Sequence, residues 1–317
     1  MNKQAALPVP SKIRGRVVLL AAALLGLYVI LPRLGGDFSQ SWHSLTDADT
    51  AFVLAAAAMT VLTYGWAGCM YWLLAIKPVR WLPTAAIQGA SAFTNRLLPA
   101  GLGGLALNIA YLRRSKHSLP EALAVAGANN TLGLLGHSLL FAAVAAVSSR
   151  SIFEGVRINA VSSNAAWVVV GLLLAGIINV LVFKRLRKYL YKLTADTLHN
   201  FAAYRRRPVR LASALLCSMA LTSSYASVFY LSGQAIGIDL SVWSMFAVFT
   251  VGVLAASLTP TPGGLGGAEA GLLAGLVSYG IDLSGGLAVV LLYRFLTYWL
   301  PLLPGAAIFW AVRQRYL

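Results

Sequence analysis

Pro99-Ala100-Gly101-Leu102-Gly103-Gly104 and Pro262-Gly263-Gly264-Leu265-Gly266-Gly267 are near copies, and each interrupts the middle of an apolar run, 84–112 and 241–280. Proline has no backbone donor and glycine weakens a helix interior, so each cluster divides its run into two arms. The arm 84–98 rises only about 22 Å at about 1.5 Å per residue, short of the ~30 Å hydrocarbon core. The residues that follow also match after a one-residue shift. Leu119, Leu123, Ala124, Val125 and Leu132 fall on Leu283, Leu287, Ala288, Val289 and Leu296, and Asn130 falls on Arg294. Two related halves are expected, 51–147 and 211–315, within one membrane domain over 1–317.

The composition explains why a break in an apolar run matters here. Of 317 residues, 59% are hydrophobic and 11% charged, and mean hydropathy is +0.75. Soluble globular chains carry about 25% charged residues. This chain lacks the surface to wrap a water-soluble core, which argues against a cytosolic enzyme, a secreted domain or a disordered binder. The fold class expected is an all-α polytopic integral membrane protein. Candidate crossings are 17–32, 51–76, 121–147, 165–183, 211–236 and 287–312, about six spanning helices. The first run follows Lys3, Lys12, Arg14 and Arg16 but has no small-residue cleavage site at its end, so it is expected to be retained as a helix.

The net charge of +16 would suggest a nucleic acid in a soluble protein; here it reads as basic loops facing anionic headgroups, and no nucleic acid is expected. Lys and Arg bias sets orientation. Placing the N-terminus, Lys77 and Arg80, Arg113 to Lys116, the segment 184–210 and the C-terminus in the cytoplasm leaves few basic residues outside. Were 84–112 a single span, every later loop would flip and nine basic residues of 184–210 would face outward. So 84–112 is expected to be a re-entrant helical hairpin that returns to the cytoplasmic side. By the same logic 241–280 is a hairpin entering from the opposite side, between Asp239 and Asp282. The two halves then form inverted-topology repeats, a plan that secondary transporters use to build a mid-membrane site from broken helices.

Between the halves, 184–210 places Leu186, Leu190, Leu193, Phe201 and Tyr204 near one helical face with basic residues around them, as an amphipathic linker on the cytoplasmic surface would. Cys69 and Cys217 lie in apolar stretches and are expected to be inert thiols without local partners. His137 is expected to be a hydrogen-bonded core residue.

The stretch from Thr259 to Glu269, with Arg294 following, resembles the C-terminal signature of the lysylphosphatidylglycerol synthase/flippase transmembrane domain family, including its stand-alone flippase-like members. Asn95 to Gly104, with Tyr111-Leu112-Arg113-Arg114, Ser118 and Ala122, resembles the N-terminal signature. The resemblance spans roughly 50–315 and implies movement of lipids, such as aminoacylated phosphatidylglycerol, between leaflets. It departs from the family pattern where Leu105 and Asn108 replace an acid and an arginine, and where Asn129-Asn130 replaces an Asp-Arg pair. Aminoacyl transfer is not expected, because no transferase domain follows the last helix.

Arg96, Glu269 and Arg294 are the Lys, Arg, Asp or Glu residues that this topology places deep in the membrane. Each costs about 2.5–3.5 kcal/mol there unless paired or hydrated. Glu269 and Arg294 can form a structural ion pair or serve a substrate. Arg96 and Arg294 are expected to flank a phosphate near the N-termini of the second arms, whose free N–H groups and dipoles favour anions. The substrate-contacting set is Asn95, Arg96, Pro99, Gly101, Gly103, Gly104, Asn129, Asn130, Thr261, Pro262, Gly263, Gly264, Gly266, Gly267, Glu269 and Arg294. The sequence has neither H-E-x-x-H nor G-x-x-x-x-G-K-[ST], and the G-L-G-G clusters follow no strand. No catalytic residue, metal or cofactor is expected. The function expected is translocation of an anionic phospholipid or polyprenyl-phosphate lipid across a cell (inner, cytoplasmic) membrane, with both termini cytoplasmic. A second copy or a lipid synthase are the protein partners considered. The alternatives are a membrane-embedded accessory or enzyme of lipid or glycan synthesis, and a small-solute secondary transporter.

Overall fold

The computed structural model describes residues 35–98, 101–147, 204, 206–259, 261 and 263–316. The expected crossings 17–32 and 165–183, most of the basic linker 184–210, and Pro99 and Pro262 lie outside the described residues. Every regular element within them is helical. In chain order these are α1 (Gly35–Thr46), α2 (Thr50–Leu74), α3 (Trp81–Leu97), α4 (Leu102–Arg114), α5 (Leu119–Val147), α6 (Pro208–Ala235), α7 (Val242–Leu258), α8 (Gly267–Ser278) and α9 (Leu283–Arg294). The chain then runs through a π-helical turn, Phe295–Trp299, into α10 (Leu302–Tyr316). Helix α1 was not anticipated; it packs on α9, where the Ser41 hydroxyl donates to the Ser284 carbonyl at 2.7 Å.

Three stretches among the described residues are long and apolar enough to cross a membrane: Thr50–Leu74, Pro208–Ala235 and Leu283–Gln314. Their outward faces carry side chains such as Val61, Leu216 and Leu303, which would be costly in water and are at home in lipid.

The two interrupted runs each fold into a pair of packed helices. In both, a proline stops the first arm. The residue before a proline is driven out of the helical region, and Leu98 (φ −123°, ψ 141°) and Thr259 (φ −104°, ψ 109°) are both extended immediately before Pro99 and Pro260. The arms α3 and α7 are consequently each 17 residues long. The second arms, α4 and α8, have 13 and 12 residues, about 20 and 18 Å at about 1.5 Å per residue. The helices after the hairpins begin at the positions that the repeat matched, Leu119 and Leu283. Ser118 and Glu121 cap α5 reciprocally, and Asp282 caps α9 by accepting from the Gly285 N–H at 3.0 Å.

Hydrogen bonds show where each hairpin opens. Before α3, the Lys77 N–H donates to His117 Nε2 beyond α4 at 3.0 Å, and Lys77 Nζ pairs with Glu121 at 2.8 Å. Tyr204 and Arg207 join the same end through the carbonyls of Leu74 and Ile76. At the other end, Asp49 N–H donates to the Ala235 carbonyl, next to the Ser41–Ser284 bond. Since α2 runs from one end to the other, the α3–α4 hairpin opens at the end where α2 finishes. The α7–α8 hairpin opens where α2 begins. Helices α2 and α6 lie antiparallel between them.

Each hairpin organises its own apolar core. Ile87, Ala90, Leu107 and Leu112 join Leu74 and Ala214 around the first; Phe249, Leu272, Leu276 and Val290 join Phe229 and Val228 around the second. Across the α2–α6 contact, Cys69 and Cys217, expected to be without local partners, are neighbours; both are free thiols. His137 packs its ring beside Phe249 at 6.3 Å, and its Nε2 has no hydrogen-bond partner among the described residues, unlike the bonded histidine expected.

Candidate functional site

The tips of the two hairpins converge on a cavity of about 330 Å³. Asn95 and Arg96 reach it from α3, Gly263 from the second tip, Thr63 and Tyr64 from α2, Tyr225 from α6, and Arg294, Thr297 and Tyr298 from the long final helix. This is within the range of small-ligand clefts, about 300–1,000 Å³.

The final helix deviates where it meets the first tip. Pro301 has no N–H, so the Thr297 carbonyl four residues earlier loses its helical partner. The Leu300 N–H reaches back to Phe295 at 2.8 Å, five residues away, which is the π pattern. Arg96 supplies the missing donor to Thr297 and binds the next carbonyl as well. Its Nη2 donates to Thr297 O at 2.7 Å and its Nε to Tyr298 O at 2.6 Å, while Nη1 bonds the Ala92 carbonyl on its own helix. A guanidinium has five N–H groups, so at most two remain for a ligand. Arg96 has no carboxylate partner among the described residues.

Arg294 is held differently. Its Nε donates to Glu269 Oε1 at 2.7 Å and its Nη2 to the Gly263 carbonyl at 3.2 Å. The other Glu269 oxygen accepts from the Gly266 N–H at 2.8 Å, at the start of α8. Between the two arginines lies Tyr298, whose ring centroid is 4.9 Å from Arg96 Cζ and 4.7 Å from Arg294 Cζ. Cation–π attraction favours both contacts. Two like charges on one ring nonetheless repel, and one carboxylate offsets only one of them.

Of the residues expected to contact substrate, Asn95, Arg96, Gly263 and Arg294 therefore line one cavity, and Glu269 stands behind Arg294. Asn129 and Asn130 line an adjoining cavity of about 340 Å³ that shares Gln88, Ala67 and Leu221 with the first. Gly101, Gly103, Gly104, Gly264, Gly266 and Gly267 do not line either; they shape the tips. Gly101 and Gly264 adopt φ of +70° and +67°, a turn conformation glycine takes without strain. A Cβ on Gly103 would lie 2.0 Å from the Thr94 carbonyl oxygen. Thr261 uses its hydroxyl inside its own turn, donating to the Leu265 carbonyl at 2.8 Å. Pro99 and Pro262 lie outside the described residues.

Of the N–H groups expected to be free at the starts of the second arms, one at each is already bound by a side chain. Asn95 Oδ1 takes the Gly104 N–H at 2.6 Å, and Glu269 takes that of Gly266. The positive end of α8 is thus already answered by its own carboxylate. Guanidiniums and hydroxyls, more than helix ends, face the cavity.

Sequence reasoning did not single out Thr63, Tyr64, Gln88, Ser91, Tyr225, Thr297 or Tyr298. A signal for some was present. Thr63-Tyr64 and Ser224-Tyr225 recur at the spacing that relates Trp81 to Val242, the first residues of α3 and α7. Behind the cavity, Gln88 Nε2 donates to Asn108 Oδ1 at 2.8 Å and Asn108 Nδ2 to Ser91 at 3.2 Å, so the residue standing where the family resemblance led to an arginine bridges α3 and α4 neutrally.

Comparison with curated protein sequences finds no match. A family model described as the lysylphosphatidylglycerol synthase TM region matches residues 17–305, which takes in both hairpins, the cavity and the final helix as far as the first turn of α10. On that match the chain belongs to the lysylphosphatidylglycerol synthase transmembrane-region family.

Proposed function

We propose that the protein moves an anionic phospholipid or a polyprenyl-phosphate lipid between leaflets, its headgroup passing between the two hairpin tips while the tails stay in the bilayer. The observation that carries this reading is the meeting of Arg96 and Arg294, one from each half, at one polar cavity between tips that open toward opposite ends. A site reached from both ends by short helices suits alternating access. The family supports a lipid-related membrane role. In this reading the residues facing the cavity bind and do not catalyse: they offer guanidiniums, hydroxyls and amides. The hairpins are re-entrant, the basic end carrying Lys77, Arg113 and Arg206 is cytoplasmic, and both termini lie on that side of a cell membrane.

The test is transport of fluorescent phosphatidylglycerol in proteoliposomes. Arg294→Gln and Arg96→Lys, the latter chosen to keep a donor for the Thr297 and Tyr298 carbonyls, should each slow transport at least about tenfold, since lysine replaces a planar fork by a point charge. Unchanged transport by well-folded variants would remove the cavity from the path. Sidedness is tested by cysteines at positions 113 and 206 in a Cys-free background. Both should react only from the cytoplasmic face, and labelling of either from outside intact cells would reverse the assignment.

A further inference from the structure

We infer that the cavity selects a headgroup with a single negative charge, a phosphodiester, over one with two, such as a phosphomonoester or pyrophosphate. The inference rests on reading the cavity as a headgroup site and narrows the lipid class within it. Two guanidiniums approach the same Tyr298 ring at 4.9 and 4.7 Å. One carboxylate, Glu269, is bonded to Arg294 at 2.7 Å, with its second oxygen held by the Gly266 N–H. The other groups lining the cavity are neutral alcohols, phenols, amides and apolar side chains. Among the described residues the site therefore carries one uncompensated positive charge, located on Arg96. Its hydrogen bonds run to neutral carbonyls, which satisfy donors and leave the charge in place.

In a region of low dielectric, a ligand that brings the local charge to zero is favoured over one that leaves an excess of either sign. A phosphodiester carries one negative charge; a phosphomonoester carries about −1.5 to −2 at neutral pH. The donors fit the same count. Arg96 has at most two N–H groups to spare, enough for one phosphate edge, and the phenol hydroxyls of Tyr64 and Tyr225 can serve further oxygens without adding charge. Of the two lipid classes proposed above, the charge count favours a phospholipid diester over a polyprenyl monophosphate.

The charge count can be changed one unit at a time. Glu269→Gln keeps an amide oxygen for the Gly266 N–H and raises the site to two positive charges; Glu269→Gln with Arg294→Gln returns it to one. Purified full-length protein in detergent is titrated by native mass spectrometry with phosphatidylglycerol, phosphatidic acid and phosphatidylcholine of equal chain length. The wild type should bind phosphatidylglycerol about tenfold more tightly than phosphatidic acid. Glu269→Gln should invert that preference, and the double variant should restore it. A wild type that prefers phosphatidic acid overturns the inference, whether or not the variants fold. So does a preference that is the same in all three proteins; phosphatidylglycerol binding above phosphatidylcholine would then still support a headgroup site. If neither anionic lipid outcompetes phosphatidylcholine in the wild type, the headgroup reading falls and the inference falls with it.

Discussion

The two hairpin tips share a motif and a backbone plan, yet they satisfy their second arms with different chemistry. At the first tip a neutral amide, Asn95, crosses from α3 to hold the Gly104 N–H. At the second, a carboxylate within α8 itself, Glu269, holds the Gly266 N–H and recruits Arg294 from the final helix. Both tips are tied to that helix by an arginine, in opposite senses. Arg96 reaches from the tip to the Thr297 carbonyl that Pro301 leaves free and to the neighbouring Tyr298 carbonyl, whereas Arg294 reaches from the helix to the tip. A repeated backbone can thus carry an unrepeated charge pattern: the second tip is internally neutralised and the first keeps its positive charge.

The comparison can be broken most severely at Gly103. A valine there would place its Cβ against the Thr94 carbonyl, which belongs to backbone and cannot swing aside. Gly103→Val should cost about 3 kcal/mol or more. At the matching position Gly266, a Cβ meets nothing within 4 Å, and only the φ of +87° opposes it. Gly266→Ala should cost about 1–2 kcal/mol. Thermal unfolding in detergent distinguishes them; equal losses would show that close packing does not separate the two tips.

Next in size is the ion pair. The Glu269 side chain is 30% exposed and that of Arg294 11%, so removing either should cost about 2–3 kcal/mol, less than the roughly 3–5 kcal/mol of a fully buried pair. The double replacement Glu269→Gln with Arg294→Gln should recover part of that loss in a thermodynamic cycle, because it strands no charge. Strict additivity would mean that the contact contributes nothing to folding.

The first tip should be gentler. Asn95→Ala removes a neutral cap and should cost about 1 kcal/mol. Asn95→Asp, which makes the first tip resemble the second in charge, should keep the cap while cancelling the local positive charge, and should weaken binding of anionic lipid more than it weakens the fold. Unfolding and native mass spectrometry on the same preparations separate the two effects.

The smallest difference expected lies at the hairpin bases. His117 accepts from the Lys77 N–H through Nε2, so Nδ1 carries the proton and donates to the Leu112 carbonyl. Burial pushes its imidazole below the ordinary value of 6.5, and the Leu112 bond opposes this only in part. A folded pKa below the unfolded one favours the uncharged ring. The stability it contributes is fully present above the unfolded value and is lost as pH falls through the folded one. At the other base, the Ser284 hydroxyl and the Gly285 N–H hold Asp282 below its ordinary 3.8, so its contribution persists until much stronger acid. Unfolding followed from neutral to mildly acidic pH should therefore weaken the wild type more than His117→Gln. Parallel curves would remove His117 as the acid-sensitive contact.

Much of this architecture could be read without coordinates. The prolines that end α3 and α7, the glycines that begin the turns, and the matching starts at Leu119 and Leu283 are local effects of backbone sterics, and local sterics are written residue by residue. The polar residues deep in apolar runs, Arg96, Glu269 and Arg294, were equally visible, because a charge in such a run needs a reason. Helix α1 was harder to see: Gly35–Thr46 is polar enough to pass for a loop, and its order comes from docking on α9.

What the sequence determined by itself was a helical membrane chain with two broken runs and a few costly charges. Only the tertiary structure decided which charge meets which. It put Arg96 on the carbonyls of Thr297 and Tyr298, about two hundred residues away in the chain, and set both arginines on one tyrosine ring. It also turned Asn95 and Glu269 inward to helix ends that sequence reasoning had left open for a phosphate. The physical reason is that a side-chain donor is not committed to any acceptor until packing fixes the distance. Helix breaks are set by neighbouring residues, while the partner of a guanidinium is chosen by the fold.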